Sequence, residues 1–478
     1  MIERRAFIGG EWRATGDVRE VRSPATGEVV ARVHQAGPEQ VELAIRAAVE
    51  AEGAAGRLPT WKRSDILRGI AAGIERRRDE LTRLLALEAG KPVKAGRAEV
   101  DRAVFTFGVA AEEARRLGGE FISMDWAPWG ADRVGLTRRF PLGAIAAITP
   151  FNFPLNLVAH KLAPCIGAGN TMVLKPASQT PSPALVLAEI AQEAGLPAGV
   201  FNVVPASSQA AAPLVEDERL KLITFTGSAA VGWDIKRRAG RKKVVLELGG
   251  NAAVIVHKDA DLERAADRIV AGGYGYSGQS CISVQRVLAH RDVHASLLKL
   301  LAGKVRALRP GDPLDEATDV AAMITTQDAE RAASWIEEAM AAGARLVEGG
   351  RREGALLHPA LLDGVRPEMK VSCREVFAPV VAVASYESLD DAIGMVNDSP
   401  YGLQAGIFTR DAPSIWRAFE RLEVGGVMVD DVPTYRIDHM PYGGVKESGL
   451  GREGLKYAIE DMTEIRLLAW HLPIVSGG

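Results

Sequence analysis

Two short segments of the sequence carry the side chains best suited to covalent chemistry. Residues 246–251 place the carboxylate of Glu247 at the end of an apolar run and just before two glycines. Residues 277–283 place the thiol of Cys281 among glycine and serine residues, which leave room for a substrate. A nucleophile and a general base are the minimum for acyl transfer through a covalent intermediate. Because a lone cysteine is usually a small buried apolar residue and a lone glutamate a solvated charge, the neighbouring groups decide the interpretation.

Three further polar groups fall at or just beyond the ends of predicted strands. Asn152 lies in a proline-bounded run, and Lys175 closes a strand. Gly227 permits a tight turn into a helix that Ser228 can cap, and the exposed N–H groups of such a turn bind anions. Each also has an ordinary explanation. Asn152 could be a turn residue and Lys175 a solvated surface lysine. The segment with Gly227 could be a plain strand–helix turn, since it lacks the G-x-G-x-x-G fingerprint. Because doubly wound sheets bind ligands at the carboxyl ends of their strands, the shared position of these groups and Glu247 favours a ligand site.

The elements that must position these groups follow two strand–helix series. Residues 4–35 show short β-like runs with turns, and 38–117 show helical spacing of apolar residues. The first series has strand-like runs at 144–148, 171–174, 201–204, 220–225 and 244–248, with helical patterns near 155–167, 182–194, 208–215 and 229–239. The second has runs at 253–257, 285–290, 346–348, 376–385, 405–408 and 427–429. Such alternation predicts an α/β protein with a parallel doubly wound sheet and a second α/β domain of similar size.

The last strand-like segment, 464–472, is apolar and lies at the end of the chain. We expect it to find no partner strand within the chain, so that a neighbouring subunit covers it.

Bulk composition sets outer limits on function. The chain has 478 residues, a formal net charge of −3 and 47% hydrophobic residues, as in soluble globular proteins of two or three domains. That charge argues against a broad surface for nucleic acid or anionic membrane. Three scattered cysteines are too few for a disulfide framework or a zinc cluster, so we expect no metal site. The N-terminus lacks a signal-peptide pattern and no run of about 18 apolar residues occurs, so we expect a cytoplasmic protein.

Seven segments, spread over most of the chain, resemble the NAD(P)-dependent aldehyde dehydrogenase superfamily in order and spacing. They are 150–154, 175–177, 225–228, 247–251, 278–281, 375–379 and 441–449. Two stretches, 279–286 and 432–441, are most similar to the lactaldehyde dehydrogenase-like group. The resemblance implies a Rossmann-type cofactor domain (1–118 and 142–249), an α/β catalytic domain (250–440) and a β bridging and oligomerisation arm (119–141 and 455–478). It also implies a homodimer or homotetramer.

The resemblance implies a role for each matching residue. Cys281 would attack the aldehyde, Asn152 and the backbone N–H of Cys281 would hold the oxyanion, and Glu247 would activate the water that hydrolyses the thioester. The residues implied in cofactor binding are Thr149, Pro150, Phe151, Lys175, Ser178, Gly227, Ser228, Val231, Leu248, Glu375 and Phe377. Those expected to approach the tail of the aldehyde are Phe153, Leu157, His160, Ser280, Ile282 and Arg436.

Departures from the family pattern bear on cofactor and substrate. Many NAD-preferring members carry a glutamate three residues after the ribose lysine, where this chain has Ser178. We therefore expect the cofactor site at least to tolerate NADP in addition to NAD. The usual glycine-rich stretch is replaced by 205–209, which leaves the shape of the adenosine pocket open. No arginine precedes Cys281 and Phe153 is apolar, so we expect a small aldehyde, hydroxylated or apolar, rather than a phosphorylated one.

Two other functions compete with hydrolytic aldehyde oxidation. In a CoA-acylating semialdehyde dehydrogenase, CoA rather than water takes the acyl group, and Glu247 speaks against it because acylating relatives generally lack that base. A non-catalytic homologue is disfavoured by the joint presence of Cys281, Glu247, Asn152 and Lys175.

Overall fold

The computed structural model of the chain describes residues 2–472; Met1 and 473–478, the end of the expected arm, lie outside the described residues. Within them the helices, numbered α1 to α15, are Pro38–Arg57, Thr60–Arg76, Arg78–Ala89, Val93–Arg116, Asn156–Ala168, Ser182–Glu193, Pro213–Glu216, Ala229–Arg238, Leu262–Tyr274, Arg291–Arg306, Thr326–Ala341, Lys370–Cys373, Leu389–Asn397, Ala412–Arg421 and Leu455–Asp461. Short 3₁₀ turns lie at Pro128–Gly130 and Gly275–Gly278. No helix in the described range is both long and apolar enough to cross a bilayer.

The strands form two large sheets and several small ones. Numbered β1 to β25, they are Ile2–Arg4, Ala6–Ile8, Glu11–Arg13, Val18–Arg22, Val29–His34, Phe121–Ser123, Arg133–Pro141, Ala144–Ile148, Thr171–Lys175, Phe201–Val203, Leu222–Thr226, Lys243–Glu247, Ala253–Val256, Arg286–His290, Arg345–Glu348, Arg352–Glu353, Leu356–Leu357, Ala360–Asp363, Val380–Tyr386, Tyr401–Gly402, Gln404–Phe408, Gly426–Val429, Val445–Lys446, Gly449–Leu450 and Thr463–His471.

The first large sheet has the order β24-β12-β11-β8-β9-β10-β2-β3. Its five central strands, β12, β11, β8, β9 and β10, are parallel, while β24 and β2 join antiparallel at its two ends. The chain runs outward from β8 to β10 and then returns to the other side of β8 for β11 and β12. The strand order therefore reverses between β8 and β11, which is where doubly wound sheets bind ligands. The predicted doubly wound parallel sheet is confirmed.

Alternate residues of its central strands serve two separate cores. Ile145 and Ala147 of β8 face helices α2 to α6, whereas Ala144 and Ala146 belong to the core formed with α1, α7 and α8 on the other side. Both sets are fully buried. Because both faces are covered, these strands are almost continuously apolar and contain small residues, which is why the sequence reveals them well.

The second large sheet has the order β15-β18-β19-β14-β13-β21-β22 and is parallel except at the β15–β18 pair.

Three details of the sequence-based prediction are wrong. The run 376–385 becomes a strand only from Val380, the strand Ala360–Asp363 was not predicted, and the helix expected at 208–215 is limited to Pro213–Glu216.

The terminal strand β25 does have a partner within the chain. It pairs antiparallel with β7 from Thr463↔Pro141 to His471↔Arg133, and β6 pairs with the other edge of β7. The expectation that it has none is therefore wrong, because the arginine-rich β7 gives no apolar signal in the sequence. The resulting three-stranded sheet stands away from both cores, and almost all of β25 is exposed.

Candidate active site

A cavity of about 660 Å³ lies where the two large sheets meet. On one side are the carboxyl ends of the first sheet, where Glu247 ends β12 and Asn152 follows β8. On the other are segments that lead into the second sheet, with Cys281 before β14 and Glu375 before β19. The predicted site residues in its wall are Pro150, Phe151, Asn152, Phe153, Leu157, Gly227, Ser228, Glu247, Leu248, Ser280, Cys281, Ile282, Glu375, Phe377 and Arg436.

Five predicted residues lie outside this wall. Lys175 and Ser178 lie at and beyond the end of β9, and Thr149 donates its N–H to the carbonyl of Lys175. Val231 is exposed on α8. His160 is only 2% exposed, and its Nε2 lies 2.8 Å from a carboxylate oxygen of Asp438, behind Arg436. In this structure Asp438 holds the ring of His160 away from the cavity wall, and an approach of His160 to the substrate stays a prediction.

Cys281 is held by a turn of unusual backbone geometry. Tyr276 and Ser277 adopt left-handed φ values of 50° and 54°, and Gly278 one of 67°. A Cβ on Gly278 would collide with the carbonyl of Ala378, so only glycine fits there. Left-handed residues cost energy and persist where the surroundings enforce them, as they do at functional sites. Here the hydroxyl of Ser277 donates to the carbonyl of Ala321 at 2.7 Å.

The electrostatic surroundings keep the Cys281 thiol protonated. Burial raises its pKa to about 11, against the hydrogen bond from Tyr442, whose hydroxyl lies 3.0 Å from Sγ, and the positive charge of Arg436. The negative charges of Glu375 and Glu247 act in the same direction as burial. Because the thiolate is the nucleophile, such a thiol needs a base to take its proton.

Glu247 is a buried carboxyl group without a hydrogen-bond partner among the described residues. Neither of its oxygens is bonded, and its side chain lines the cavity. Burial raises its pKa well above the ordinary value, and the nearby negative charge of Glu453 raises it further. A carboxyl group of this kind takes up a proton readily, which suits it to act as a general base close to neutral pH.

Asn152 is fixed beside the nucleophile. Its Nδ2 donates to the carbonyl of Gln279, two residues before Cys281, at 3.0 Å. The amide has a second N–H, which this bond leaves free to donate to an oxygen that becomes negative.

Behind the cavity lies a buried network of ion pairs that sequence reasoning missed, apart from Arg436 and His160. Arg436 donates to Glu453 at 2.9 Å, and Lys161 donates to the same carboxylate at 3.2 Å. Although burial raises the pKa of Glu453, the charges of Lys161, His160 and Arg436 hold it below its ordinary value. Arg102 pairs with Asp438 at 2.6 Å.

Lys91 and Glu99 form a second buried pair, and the ammonium of Lys91 lies 3.8 Å from the ring centre of Phe153. Phe153 is therefore packed against a cation. Nothing in the sequence indicated this contact, because Phe153 is an apolar residue.

The opposite end of the cavity fits a dinucleotide. Glu375 accepts the N–H of Gly250 at 2.9 Å, and burial raises the pKa of Glu375 to about 7. A Cβ on Gly249 would collide with this carboxylate, so a larger residue there would displace the side chain of Glu375. Ser228 precedes α8 but its side chain does not cap the helix, contrary to expectation, so the hydroxyl and the first N–H groups of α8 stay free for a phosphate.

Comparison with known proteins gives consistent matches over nearly the whole chain. The model of the Aldehyde dehydrogenase family matches residues 12–468. A 3-sulfolactaldehyde dehydrogenase of Priestia aryabhattai is 44% identical over 467 residues, 98% of either chain. A lactaldehyde dehydrogenase of Methanococcus aeolicus is 38% identical over 97% of this chain and 99% of its own. The crystal structure of aldehyde dehydrogenase 21 from Physcomitrella patens with the reaction product succinate has a TM-score of 0.97 and 40% identity, covering 99% of both chains.

Proposed function

Because this chain belongs to the aldehyde dehydrogenase family, we propose that it oxidises small aldehydes whose far end carries a carboxylate or a sulfonate. The family match makes it an NAD(P)-dependent enzyme that converts an aldehyde to a carboxylic acid. The observation that carries the substrate proposal is the guanidinium of Arg436 in the wall of the cavity that also holds Cys281.

The charges around the cavity support an anionic substrate. Charges of both signs surround the cavity: the cations are Lys91, Arg102, Lys161 and Arg436, and the anions are Glu99, Asp438 and Glu453, joined by Glu247 when it is ionised. The Nε–H of Arg436 has no hydrogen-bond partner among the described residues. A bound carboxylate or sulfonate would supply one, since a buried polar group without a partner is costly.

Two of the comparisons point in the same direction. The relative from Priestia aryabhattai is named for an aldehyde with a sulfonate, and the structure of aldehyde dehydrogenase 21 contains succinate, a dicarboxylate. The sequence-based expectation was a hydroxylated or apolar aldehyde, and it left open a contact of Arg436 with a hydroxyl or a carboxylate. A hydroxyl beside the aldehyde is compatible with the proposal, in line with the lactaldehyde dehydrogenase of Methanococcus aeolicus.

In the mechanism we propose, Glu247 takes the proton of the Cys281 thiol through water, and the thiolate attacks the aldehyde carbon. The free N–H of Asn152 and the backbone N–H of Cys281 hold the oxygen as it becomes negative. A nicotinamide held by Glu375 and Phe377 would supply the acceptor for the hydride of the aldehyde carbon. Glu247 releases the proton of the thiol to solvent before the next step. It then takes a proton from the water that attacks the thioester, the carbon–sulfur bond breaks, and Cys281 leaves as a thiolate. The buried and partnerless carboxyl of Glu247 supports this double use as a base.

For the cofactor, we propose that Glu375 and Phe377 hold the nicotinamide end, Ser228 the pyrophosphate and Lys175 the adenosine ribose. With Ser178 in place of a glutamate, a 2′-phosphate meets no repulsion, so NADP is accepted at least as well as NAD.

An oligomer and a reducing compartment complete the proposal. Phe121, Leu136 and Leu468 lie opposite one another across the three strands of the arm, and they are 68%, 41% and 56% exposed. An apolar stripe of this size is typically covered, here by a second subunit in a homodimer or homotetramer.

The chemistry also needs Cys281 as a free thiol, which cytoplasmic conditions preserve.

The test compares two pairs of aldehydes, one with and one without a hydroxyl beside the aldehyde, and the members of each pair differ only in the far end. Reduced nicotinamide is measured with succinic semialdehyde, 3-sulfolactaldehyde, lactaldehyde and propionaldehyde, with and without CoA. We expect the two anionic aldehydes to have the highest kcat/KM, no need for CoA, and no turnover in Cys281→Ala. Arg436→Gln should lower kcat/KM for the anionic aldehydes by about tenfold to a hundredfold, the range of a lost charged hydrogen bond, and for propionaldehyde much less.

Arg436→Lys is the matched control because it keeps the charge beside Glu453. It should retain more of the preference for anionic aldehydes than Arg436→Gln does. Propionaldehyde turning over as well as the anionic aldehydes, or equal losses for all four aldehydes in Arg436→Gln, would contradict the proposed substrate class.

A further inference from the structure

Tyr442 contacts the nucleophile directly. Its hydroxyl oxygen lies 3.0 Å from Sγ of Cys281, and this is the hydrogen bond that the described residues offer to the thiol. The tyrosine is buried and packs with Ile282 and Leu403. Although residues 441–449 are part of the sequence resemblance, nothing in the sequence assigns a role to this hydroxyl.

The backbone fixes Tyr442 in relation to both reacting groups. Tyr442 and Glu453 form an antiparallel bridge, with N–H···O distances of 3.0 and 2.6 Å. The next residue, Gly443, lies against Glu247, where a Cβ would come within 2.9 Å of its Oε1. The main chain that carries the hydroxyl is therefore held beside both the thiol and the proposed general base.

A cation lies over the ring of Tyr442. The guanidinium carbon of Arg436 is 3.6 Å from the ring centre, and Glu453 holds that guanidinium in place. A cation above a phenol draws electron density from the ring, which makes the hydroxyl a stronger hydrogen-bond donor.

The hydrogen bond between Tyr442 and Cys281 depends on the charge of the sulfur. With a thiol, either atom can donate; with a thiolate, only the phenol can, because the sulfur has lost its hydrogen. Burial raises the pKa of Tyr442 well above its ordinary value, so the phenol keeps its proton. A bond to a charged acceptor is stronger than one to a neutral acceptor, so this contact favours the thiolate. Arg436 favours it as well, while Glu247 and Glu375 oppose it.

We propose that Tyr442 is a further catalytic residue, whose hydroxyl donates a hydrogen bond to the sulfur of Cys281 whenever that sulfur is negatively charged. This happens twice in a turnover: when the thiol has given its proton to Glu247 and attacks the aldehyde, and when the carbon–sulfur bond of the thioester breaks and the thiolate leaves. Tyr442 keeps its own proton in both steps. The inference rests on the proposed role of Cys281 as the nucleophile.

The test measures the thiol without substrate or cofactor. The rate of alkylation of Cys281 by iodoacetamide is followed against pH in the wild type, in Tyr442→Phe and in Tyr274→Phe. Tyr274 is the matched control because its buried hydroxyl donates to the carbonyl of Ala360 and does not reach the thiol. A Cys281→Ala variant identifies the signal from the other cysteines.

We expect the pKa of the alkylation profile to rise by roughly one unit in Tyr442→Phe, the scale of a charged hydrogen bond, and to stay unchanged in Tyr274→Phe. Well below that pKa, alkylation should slow about threefold, since the lower thiolate fraction is partly offset by the greater nucleophilicity of a more basic thiolate. Incorporation of 3-fluorotyrosine at position 442 keeps the shape and acidifies the phenol, so it should lower the thiol pKa.

A Tyr442→Phe profile that coincides with that of Tyr274→Phe would overturn the inference, and so would a fluorotyrosine variant without a downward shift. Both results are independent of the enzyme assay. Turnover that survives in Cys281→Ala would instead overturn the proposed function and leave the alkylation result standing.

Discussion

At the scale of single residues, two buried carboxyl groups, one in the cavity and one outside it, allow the effect of burial on a pKa to be distinguished from a role in catalysis. Burial raises the pKa of Glu247, in the cavity, and raises that of Glu88, outside it, to about 7. In each case the unfolded chain ionises near pH 4.3 while the native carboxyl stays protonated, so stability falls as the pH rises from there to the native pKa. Above the native pKa the loss is complete.

We predict that Glu247→Gln stabilises the protein at high pH and stalls the enzyme after hydride transfer. Glutamine cannot ionise, so the melting temperature of the variant should exceed that of the wild type more at about pH 9 than at about pH 5. Hydroxide can still deprotonate the thiol slowly, but no other group is placed to activate the water that attacks the thioester. A slower burst of reduced cofactor should therefore precede a steady state reduced by about 10²-fold or more. Stopped-flow absorbance and differential scanning calorimetry measure the two effects.

Glu88→Gln is the control. Glu88 accepts the N–H of Ser182 and lies away from the cavity, so its variant should show the stability effect with normal turnover. A burst rate and a steady-state rate reduced equally in Glu247→Gln would instead make Glu247 the activator of the thiol alone.

Residue types and spacing were enough to bring the catalytic groups together, but not to describe their surroundings. Cys281, Glu247 and Asn152 lie in one cavity because each lies at or near the end of a strand in a strongly patterned series. The orientation of His160 depends on Asp438, which is distant in the sequence, and the contact of Tyr442 with the thiol depends on its bridge to Glu453. Long-range contacts of this kind leave no local signal.

At the scale of elements, apolar periodicity located the strands that are buried on both faces. It failed for strands whose surroundings differ: Ala360–Asp363 is short, and Arg133–Pro141 is rich in arginine and half exposed. The segment 376–379 has the composition of a strand but is a loop, because Phe377 adopts a left-handed φ of 53° beside the cofactor end of the cavity.

The turn after β9 carries a prediction about the cofactor. Ser178 lies half-buried in this turn, beyond Lys175 at the carboxyl edge of the first sheet. We predict that Ser178→Glu lowers kcat/KM for NADP relative to NAD by roughly tenfold or more, because a carboxylate repels the 2′-phosphate and accepts from the ribose hydroxyls. Steady-state kinetics with both cofactors measure the ratio.

Ser178→Gln has the size of the glutamate without its charge and should leave the ratio close to that of the wild type. If Ser178→Glu leaves the ratio unshifted, the choice of cofactor lies elsewhere, most directly in residues 205–209.

At the scale of the whole molecule, the exposed apolar stripe on the arm, the sheet of β6, β7 and β25, leads to a prediction about how subunits associate. We predict that Leu468→Lys, which puts a charge in the middle of the stripe formed with Phe121 and Leu136, shifts the protein to smaller species. Loss of one buried leucine on each side of a symmetric interface should weaken association by about 10²-fold or more. Sedimentation velocity over a range of concentrations measures the change.

Met340→Lys is the control, because Met340 is similarly exposed but lies on α11, outside the arm. Identical sedimentation of Leu468→Lys and the wild type would mean that another surface holds the subunits together.

The order in which the site is assembled along the chain has a consequence for biosynthesis. Strand β24 closes the edge of the first sheet, where Leu450 pairs with Leu246, and Tyr442 and Glu453 complete the surroundings of Cys281 and Glu247. Strand β24, Tyr442 and Glu453 all follow Cys281 by more than a hundred residues. A nascent chain on the ribosome therefore contains Cys281 well before it contains Tyr442, the residue that we propose to stabilise its thiolate, so the thiol stays dormant until that later segment has been synthesised and folded.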